Sequence, residues 1–447
     1  METQSNAAAA NVVNGIPADD AAQFGDKTVS KVAQRLMWFL MALYFCAIMD
    51  RGNVSFAALS MNREIGLTPQ MFGMGIGVMY ITYSLFEIPS NLFLGRYGAR
   101  ATLTRIAILW GVATMLMALA QGPASFYTLR ALLGAAEAGL FPGVMLYLSL
   151  WFPRAYLARY NAMFSYAVPL SYMCSSLISG AILNMDGMLG LQGWKWLFIL
   201  EGIPAVALGI FGIRYLTNRP KEAEWLTESE KAWLENQIEP GNNGHKVIGG
   251  HSLMATLANP IVLALGLCNF GLFFGLASLP YWLPQIIKGF HLSNVQIGVV
   301  SALPPLAGLI GMIFLSRYSD RTGKRFTNTA TTLFIAAAGF AIVAFAEGAP
   351  LTILGFMVAN IGVYATQAIF WTIPQTYLSK QTAPGAFGAI GMMGSAGGAI
   401  VPMAIGFLKD FTHSFTAGFL MVAFVLASAG AIILICRASI TRGGPST

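Results

Sequence analysis

Residues 320–325 read "DRTGKR", and 225 positions before Arg321 a second stretch, residues 96–100, reads "RYGAR". Both stretches carry the pattern Arg-x-Gly-x-Arg, and each one joins two long apolar runs. Each also follows the second apolar run of its half of the chain, which indicates a parallel internal repeat of the kind found in transporters. The sequence therefore predicts a protein built from two related halves.

The composition places both halves in a membrane. Of the 447 residues, 56% are hydrophobic and only 10% are charged, whereas soluble proteins carry about 25% charged residues. The first 33 residues are polar and rich in Ala and Asn, so they predict a disordered tail rather than a cleavable leader. We therefore expect an integral membrane protein.

A hydropathy window of about 19 residues predicts twelve membrane-spanning segments. Their approximate bounds are 36–59, 71–94, 101–120, 125–151, 160–183, 196–215, 261–287, 295–315, 328–346, 351–378, 384–408 and 415–436. This predicts an all-α membrane protein with two six-helix bundles, at residues 34–216 and 254–437. A polar linker, 217–253, joins them, and a short tail follows at 438–447. Within the linker, Thr227 and Glu230 fit a capping box that opens a short helix.

The positions of the basic residues predict the orientation. Twenty of the 26 Lys and Arg residues fall on the side that carries the linker, four fall on the opposite side and two lie within spans. By the positive-inside rule, both termini of this multi-pass protein are expected in the cytoplasm. The protein itself is expected in the inner cell membrane. The net charge of +7 then reflects topology, and no nucleic-acid partner is predicted. The four cysteines and four histidines are scattered, so neither a disulfide framework nor a metal site nor another cofactor is expected.

Several stretches resemble a known family. The loop "SRYSDRTGKR" resembles the cytoplasmic loop motif of the major facilitator superfamily, although Gly95 stands where the first copy usually has an acid. The stretches "DRGNVSFA", "EIPSNLFLGRYGAR", "RALLGAAEAGLFPG", "WLFILEGIPA" and "WLPQIIKGFHLSNVQIG" are similar to its anion:cation symporter branch, especially to bacterial carboxylate transporters of the tartrate and 4-hydroxyphenylacetate type. The resemblance covers residues 35 to 437. It implies proton-coupled import of a small organic anion, such as tartrate, a sugar acid or an aromatic acid, by alternating access.

The charged residues inside the predicted spans all fall in the first half. A charge at the bilayer centre costs roughly 2.5–3.5 kcal/mol on insertion scales, so such residues usually face a cavity or a partner. The spans of the second half, as predicted, contain no Asp, Glu, Lys or Arg. Six of the charged residues of the first half are Asp50, Arg51, Glu87, Arg130, Glu137 and Glu201.

Asp50 and Arg51 are neighbours, so their side chains point about 100° apart around a helix. We expect Arg51 to face the central cavity, where its planar guanidinium can clasp a substrate carboxylate. Asp50 is then expected to face a neighbouring helix, with a proton as its alternative partner. The family resemblance places a substrate-binding arginine and a proton-coupling acid here. The alternative is that both residues form packing ion pairs.

Arg130 and Glu137 are seven residues apart and therefore share one face of a helix. The family resemblance assigns proton coupling to the acid of "EAGLFPG", which is Glu137. Arg130 is expected to partner Asp50 or Glu137, either in the coupling network or in a structural pair. Glu87 is expected to act as a gate or loop contact, and Glu201 as a packing pair.

Uncharged polar and aromatic residues complete the predicted substrate site. Tyr80 and Tyr83 share a face of the second span, and the resemblance favours Tyr83 as a substrate contact. The charge-free second half suits the neutral body of an anion. Its predicted substrate-binding residues are Asn269, Tyr364, Gln367, Trp371 and Ser395, and Asn360 lies on the same span as three of these.

The leading prediction is a monomeric proton symporter for a small organic anion, with protons as the coupling ion. The first alternative is efflux by proton antiport. Efflux relatives usually carry a glycine-proline motif in the fifth span, whereas "YAVPLSYMCSSLISG" has Pro169 without flanking glycines. A non-transporting membrane sensor is a second alternative, for which an appended soluble domain would be expected. An enzyme is not predicted, because the spans contain no paired nucleophile and base.

Overall fold

The computed structural model describes residues 18–238, 259–377 and 383–442. All regular structure in these ranges is helical. Twelve segments within these described ranges are long and apolar enough to cross a membrane. The predicted all-α fold with twelve spans is therefore confirmed.

We number the spans in chain order and refer to them by these numbers. The helices are Ala18–Glu64 (span 1), Pro69–Leu116 (spans 2 and 3), Pro123–Glu137 and Leu140–Trp151 (span 4), Ala167–Ile182 (span 5), Gly193–Tyr215 (span 6), Pro260–Lys288 (span 7), Asn294–Thr322 (span 8), Arg325–Phe345 (span 9), Ala349–Phe370 and Thr372–Tyr377 (span 10), Ala383–Thr412 (span 11) and Thr416–Arg442 (span 12). Helices Arg154–Ser165 and Glu228–Gln237 do not span. Short 3₁₀ turns occupy Met117–Leu119, Leu183–Met185, Met188–Gly190 and Pro220–Glu222.

Both copies of the Arg-x-Gly-x-Arg pattern turn the chain at their glycine. Gly98 separates spans 2 and 3 with a φ of 86°, and Gly323 ends span 8 with a φ of 65°. Both values lie in the left-handed region, which glycine adopts without a steric penalty. The repeated glycine therefore serves a repeated tight turn, one in each half.

The linker helix Glu228–Gln237 begins with the capping box that the sequence predicts. The Thr227 hydroxyl accepts from the Glu230 N–H at 3.3 Å, and Glu230 Oε2 accepts from the Thr227 N–H at 2.8 Å. We call the end of the bundle that carries this helix the linker side, and the opposite end the far side. Residues 239–253 of the predicted linker, and residues 1–17 and 443–447 of the predicted tails, lie outside the described residues.

The prediction of a disordered tail up to residue 33 is wrong for residues 18–33, which belong to the helix of span 1. Val29 and Val32 are buried in a cluster with Trp233 and Leu234 of the linker helix. A Cβ on Gly25 would overlap the Trp233 ring. Val29 and Val32 are apolar residues at helical spacing within a polar stretch, and they pack this extension of span 1 against the linker helix.

The two halves pack against each other at the far side. A Cβ on Gly73 of span 2 would clash with the Pro402 carbonyl of span 11. This contact continues to Tyr80, whose Cε1 lies 3.5 Å from the Cβ position of Gly398. Closer to the linker side the two helices part, because no described atom lies within 4 Å of a Cβ placed on Gly391. The space between the halves therefore opens toward the linker side.

A second pair of spans closes the far side in the same way. A Cβ on Gly180 of span 5 would meet the backbone of Asn294 and Gly298 in span 8. Asp410 of span 11 adds a polar tie, because its Oδ2 accepts from the Gln70 N–H at 2.9 Å, at the start of span 2. These contacts cross from one half to the other, so opening the far side requires that they break.

Candidate functional site

Arg51 of span 1 and Glu137 of span 4 form an ion pair inside the first bundle. Nη2 of Arg51 lies 2.7 Å from Oε1 of Glu137, and Nε donates to the same oxygen at 2.8 Å. The Glu137 side chain is 1% exposed and that of Arg51 is 19% exposed. Glu137 Oε2 is buried and has no hydrogen-bond partner among the described residues. The guanidinium therefore engages one carboxylate oxygen and leaves the other unused.

A break in span 4 sets the position of Glu137. The first helix of this span ends at Glu137, and the second begins at Leu140. Gly139 adopts a φ of 86°, which favours glycine, and Pro142 has no N–H to donate to the Ala138 carbonyl. A helix C-terminus carries a partial negative charge that favours a cation. Arg51 thus meets the Glu137 carboxylate at the end of a half-helix.

Tyrosine side chains surround the Arg51 guanidinium. Arg51 Cζ lies 5.2 Å from the centroid of the Tyr83 ring and 6.0 Å from that of Tyr80, within the range of cation–π attraction. The structure therefore brings both predicted tyrosines of span 2 to Arg51. The Tyr80 hydroxyl also lies 3.2 Å from the Tyr281 hydroxyl of span 7, which links the two halves.

Three further tyrosines lie within electrostatic range of Arg51, and the sequence analysis did not identify them. They are Tyr44, Tyr172 and Tyr281. Sequence spacing could have predicted Tyr44, because it lies seven residues before Arg51 and therefore shares its helix face. Tyr172 and Tyr281 belong to other spans, and sequence spacing says nothing about their distance from Arg51.

Asp50 faces a different helix from Arg51. Its Oδ2 accepts from the Thr114 hydroxyl at 2.7 Å and from Trp110 Nε1 at 3.0 Å, both in span 3. Its Oδ1 accepts from Asn53 Nδ2 at 2.8 Å. The side chain is buried, and these three donors are all uncharged. The structure thus places the two neighbours on separate faces and gives Asp50 hydrogen bonds instead of an ion pair.

Arg130 is buried without an ion pair among the described residues. Its Nη1 lies 3.5 Å from Met79 Sδ, and its Cζ lies 5.5 Å from the centroid of the Phe126 ring. Nε and Nη2 have no hydrogen-bond partner in the described part of the chain. The expected direct pairing with Asp50 or Glu137 is therefore not seen, because Arg51 binds Glu137 and neutral donors bind Asp50. Arg130 and Asp50 remain close enough to interact electrostatically.

The other two acids of the first half lie apart from the ion pair. Glu201 is buried, and its Oε1 accepts from the Ser179 hydroxyl at 2.9 Å. It ties span 6 to span 5 through this hydrogen bond. Glu87 is half-buried two turns from Tyr80, toward the linker side, and interacts electrostatically with Arg51.

The predicted residues of the second half divide into two groups. Asn269 is fully buried, and its Nδ2 donates to the Ile390 carbonyl at 2.9 Å, so it ties span 7 to span 11. Tyr364 is also buried and packs against Gly308. Gln367, Trp371 and Ser395 are half-buried, and the Trp371 ring stacks on Phe387 with centroids 5.9 Å apart. These three retain exposed surface, whereas Asn269 does not.

Comparisons with known proteins identify the family. The family model described as Major Facilitator Superfamily matches residues 40–402. A protein of Agrobacterium vitis named "Putative tartrate transporter" is 42% identical over 92% of this chain and 92% of its own length. A "Quinolone resistance transporter" of Acinetobacter baumannii is 34% identical over 90% of this chain and 93% of its own length.

Solved structures agree on the fold. A bacterial homologue of the human lysosomal transporter Spinster superposes with a TM-score of 0.71 at 14% identity, over 91% of this chain and 97% of that chain. At this identity the likeness concerns the fold alone.

The family match covers most of the chain, and relatives above 30% identity align with nearly all of it. The chain therefore belongs to the Major Facilitator Superfamily, and it is a membrane transporter rather than an enzyme.

Proposed function

We propose that the protein is a symporter that imports a small organic anion, a carboxylate, together with protons by alternating access. The observation that carries this proposal is the Arg51–Glu137 ion pair. The Arg51 guanidinium is suited to a substrate carboxylate, and here it binds a carboxylate of the protein itself. The relative named as a tartrate transporter supports a carboxylate as the substrate class. The distribution of basic residues supports an inner-membrane protein with both termini in the cytoplasm.

Charge balance at the pair explains why proton and anion travel together. Arg51 and Glu137 together are neutral, and uncompensated charge inside a membrane protein is unfavourable. A proton on Glu137 removes its negative charge and leaves the Arg51 cation without a partner. A substrate carboxylate at Arg51 then restores neutrality. Proton and anion therefore bind together and leave together, which is the definition of symport.

The geometry of the pair favours replacement of Glu137 by a substrate. Arg51 engages a single oxygen of Glu137. A free carboxylate can instead meet the guanidinium fork with both oxygens, which gives two parallel charge-assisted hydrogen bonds. The rings of Tyr80 and Tyr83 hold the guanidinium in place from one side. Protonated Glu137 can no longer compete for the cation as a charged group, so the substrate takes its position.

Asp50 supplies a second carboxyl group for the proton cycle. Its three neutral donors stabilise the carboxylate, and Arg130 lies within electrostatic range. Among the described residues, two nitrogen atoms of Arg130 have no hydrogen-bond partner, so they are available to balance the charge of Asp50. We assign Asp50 and Glu137 to proton coupling, with Arg130 as the cation that balances Asp50.

Rocking of the halves would expose the site first to one side of the membrane and then to the other. The halves pack at the far side through Gly73 and Gly180 and part toward the linker side. Substrate leaves through this opening when Glu137 releases its proton and returns to Arg51. The re-formed pair is neutral, which favours return of the empty carrier across the membrane.

Reconstituted vesicles with an imposed pH gradient test this proposal. We expect radiolabelled tartrate, a sugar acid or an aromatic acid to accumulate when the outside is more acidic, and a protonophore to abolish the accumulation. Uptake that ignores both the gradient and the protonophore would contradict proton symport. If none of these acids enters the vesicles, the carboxylate class is wrong.

A second candidate function is efflux by proton antiport. The observation that favours it is the 34% identity to a protein named as a quinolone resistance transporter. The same vesicles distinguish the two functions. In an antiporter, an acidic interior would drive uptake of a fluoroquinolone, whereas a symporter would leave its distribution unchanged and respond to the carboxylates.

A further inference from the structure

Glu201 of span 6 is a buried acid to which the proposed transport cycle gives no role. It is 6% exposed. Its Oε1 accepts from the Ser179 hydroxyl, whereas its Oε2 is buried without a hydrogen-bond partner among the described residues. Span 3 packs closely beside it, because a Cβ on Gly202 would lie 2.7 Å from the Gly111 carbonyl oxygen. The Glu201 carboxyl group therefore has a single donor and lies against a closely packed helix.

Asn53 of span 1 connects Glu201 to Asp50. Its Nδ2 donates to Asp50 Oδ1 at 2.8 Å, and the same amide lies close to Glu201. The two carboxyl groups also interact electrostatically. As far as the chain is described, Cys46 of span 1 is the other titratable group that interacts with both acids. Asp50, Asn53 and Glu201 thus form one buried cluster between spans 1 and 6.

Charge balance identifies Glu201 as the neutral acid of the first bundle. Counted over the described residues, three buried acids accompany two arginines, namely Asp50, Glu137 and Glu201 with Arg51 and Arg130. Arg51 binds Glu137, and Arg130 lies within electrostatic range of Asp50. The described groups that act on Glu201 are Asp50, Asn53 and Ser179, and none of them is a cation. A buried carboxylate without a cation is costly, so such a group holds a proton instead.

Hydrogen bonding in the cluster agrees with a proton on Glu201. Within the described residues, Asn53 Oδ1 is buried and has no partner, like Glu201 Oε2. Both atoms are acceptors when Glu201 is ionised, and buried acceptors are normally satisfied. A protonated Glu201 has an O–H that can donate to the Asn53 amide oxygen. One proton therefore supplies the donor that both oxygens lack.

We propose that Glu201 keeps a proton throughout the transport cycle and acts as a positioning residue for Asp50. Its O–H holds the Asn53 amide oxygen, so the amide nitrogen stays directed at Asp50 Oδ1. Glu201 is then not a third coupling acid, although it lies next to one. The inference rests on the proposed function only in taking Asp50 as a coupling residue.

Infrared spectroscopy of the purified full-length protein tests the proton on Glu201. The carbonyl stretch of a protonated carboxyl group is separate from the bands of a carboxylate. The difference spectrum of wild type minus Glu201→Gln should show a protonated carboxyl group at neutral pH. The signal should persist across the pH range in which transport changes, because Glu201 does not release its proton.

Glu64→Gln is the matched control for this spectrum. Glu64 also ties span 6 to span 1 through one hydrogen bond, which it accepts from Trp194 Nε1 at 2.8 Å, but it is exposed. Its difference spectrum should lack the signal of a protonated carboxyl group. Carboxylate bands in the Glu201→Gln spectrum would show that Glu201 is ionised and would overturn the inference.

Uptake of radiolabelled tartrate by vesicles tests the positioning role. Glu201→Gln should keep proton-driven uptake and its pH profile, because the glutamine amide donates to Asn53 and accepts from Ser179 as a protonated acid does. Glu201→Met lacks the donor, so Asn53 should hold the Asp50 carboxylate less well. The pH profile of uptake should then move upward by about 0.5–1 pH unit, as loss of one hydrogen bond implies. Thermal unfolding checks that both variants are folded.

Two transport results would overturn the inference. Loss of proton-driven uptake in folded Glu201→Gln would show that Glu201 must release its proton. An unmoved pH profile in folded Glu201→Met would remove its positioning role. If wild-type vesicles take up no carboxylate, the proposed function fails, whereas the infrared signal still decides whether Glu201 is protonated.

Discussion

The two halves share one architecture but differ in what they bury. The first half buries an ion pair, Arg51 with Glu137, and a carboxylate held by neutral donors, Asp50. The second half instead presents amides, hydroxyls and aromatic rings, such as Asn360, Ser301 and Trp371. The difference indicates a division of labour. The first half binds the charged group of the substrate and the protons, and the second half contacts the neutral body of the substrate.

The largest effect is expected from Glu137→Gln, which keeps the shape of a protonated acid but cannot release a proton. Uphill uptake driven by a pH gradient should fall to the level of protein-free vesicles, because the empty carrier cannot re-form its ion pair. Exchange of substrate between two filled compartments should persist, since that half-cycle needs no proton release. Asp50→Asn should behave alike if Asp50 also carries a proton. Proton-driven accumulation by Glu137→Gln would show that the coupling residue lies elsewhere.

Arg51→Lys should produce the next largest effect. Lysine keeps the charge but loses the planar fork, so affinity for the carboxylate should fall at least about tenfold, or 1.4 kcal/mol. Binding to purified protein, with thermal unfolding as a check on folding, measures this. Arg63→Lys is the control, since Arg63 is exposed at the far end of the same helix. Near-normal affinity in Arg51→Lys would remove Arg51 from the substrate site.

Changes in the second half should alter substrate preference and leave proton dependence intact. Gln367→Ala should shift the relative affinity for two anions about three- to tenfold, as loss of one neutral contact of about 1 kcal/mol implies. Asn269→Ala should instead lower the stability by about 1–3 kcal/mol, because its bond to the Ile390 carbonyl is lost. If Gln367→Ala abolishes proton dependence and keeps preference, the division of labour is wrong.

The smallest effect concerns a surface ion pair that joins the extension of span 1 to the linker helix. Lys31 Nζ lies 2.8 Å from Glu230 Oε2. Partial burial raises the pKa of Glu230, but the Lys31 ammonium and the Thr227 N–H and hydroxyl outweigh it and hold this pKa below its usual value. A lowered pKa contributes stability above the unfolded-state pKa, about 4.3, which is lost as the pH falls through the folded-state pKa.

Lys31→Ala should therefore lower the stability at neutral pH by no more than about 1 kcal/mol, and the difference from wild type should shrink in acid. Thermal unfolding at a series of pH values measures this. Transport should be unaffected, since the pair lies away from the site. A transport defect in this variant would mean that surface charge of the first half, and not only buried charge, drives the cycle.

Local patterns made most of the fold predictable. Hydropathy alone identified the spans, and the Thr227–Glu230 spacing identified the start of the linker helix. The helix over residues 18–33 was missed because its polar composition concealed Val29 and Val32, whose burial depends on Trp233 some 200 residues later. A partner so distant in sequence leaves no local signal.

The site was predictable in its residue types and only partly in its contacts. Arg51 and Glu137 stood out as charges in apolar spans, but their pairing depends on how spans 1 and 4 face each other. The same holds for Arg130, for which the sequence suggested two acids and the structure gives hydrogen bonds to neither. Asn269 was expected in the substrate site because it is polar, yet it bonds a neighbouring helix.

The central claim is that the substrate replaces Glu137 at Arg51 when Glu137 takes up a proton, and proton uptake on binding tests it most directly. Tartrate is added to purified protein in weakly buffered solution, and the pH change is recorded together with the amount bound. The account predicts uptake of at least about one proton per anion in the wild type and about one fewer in Glu137→Gln, with binding retained. Binding without proton uptake in the wild type, or equal uptake in Glu137→Gln, would contradict it.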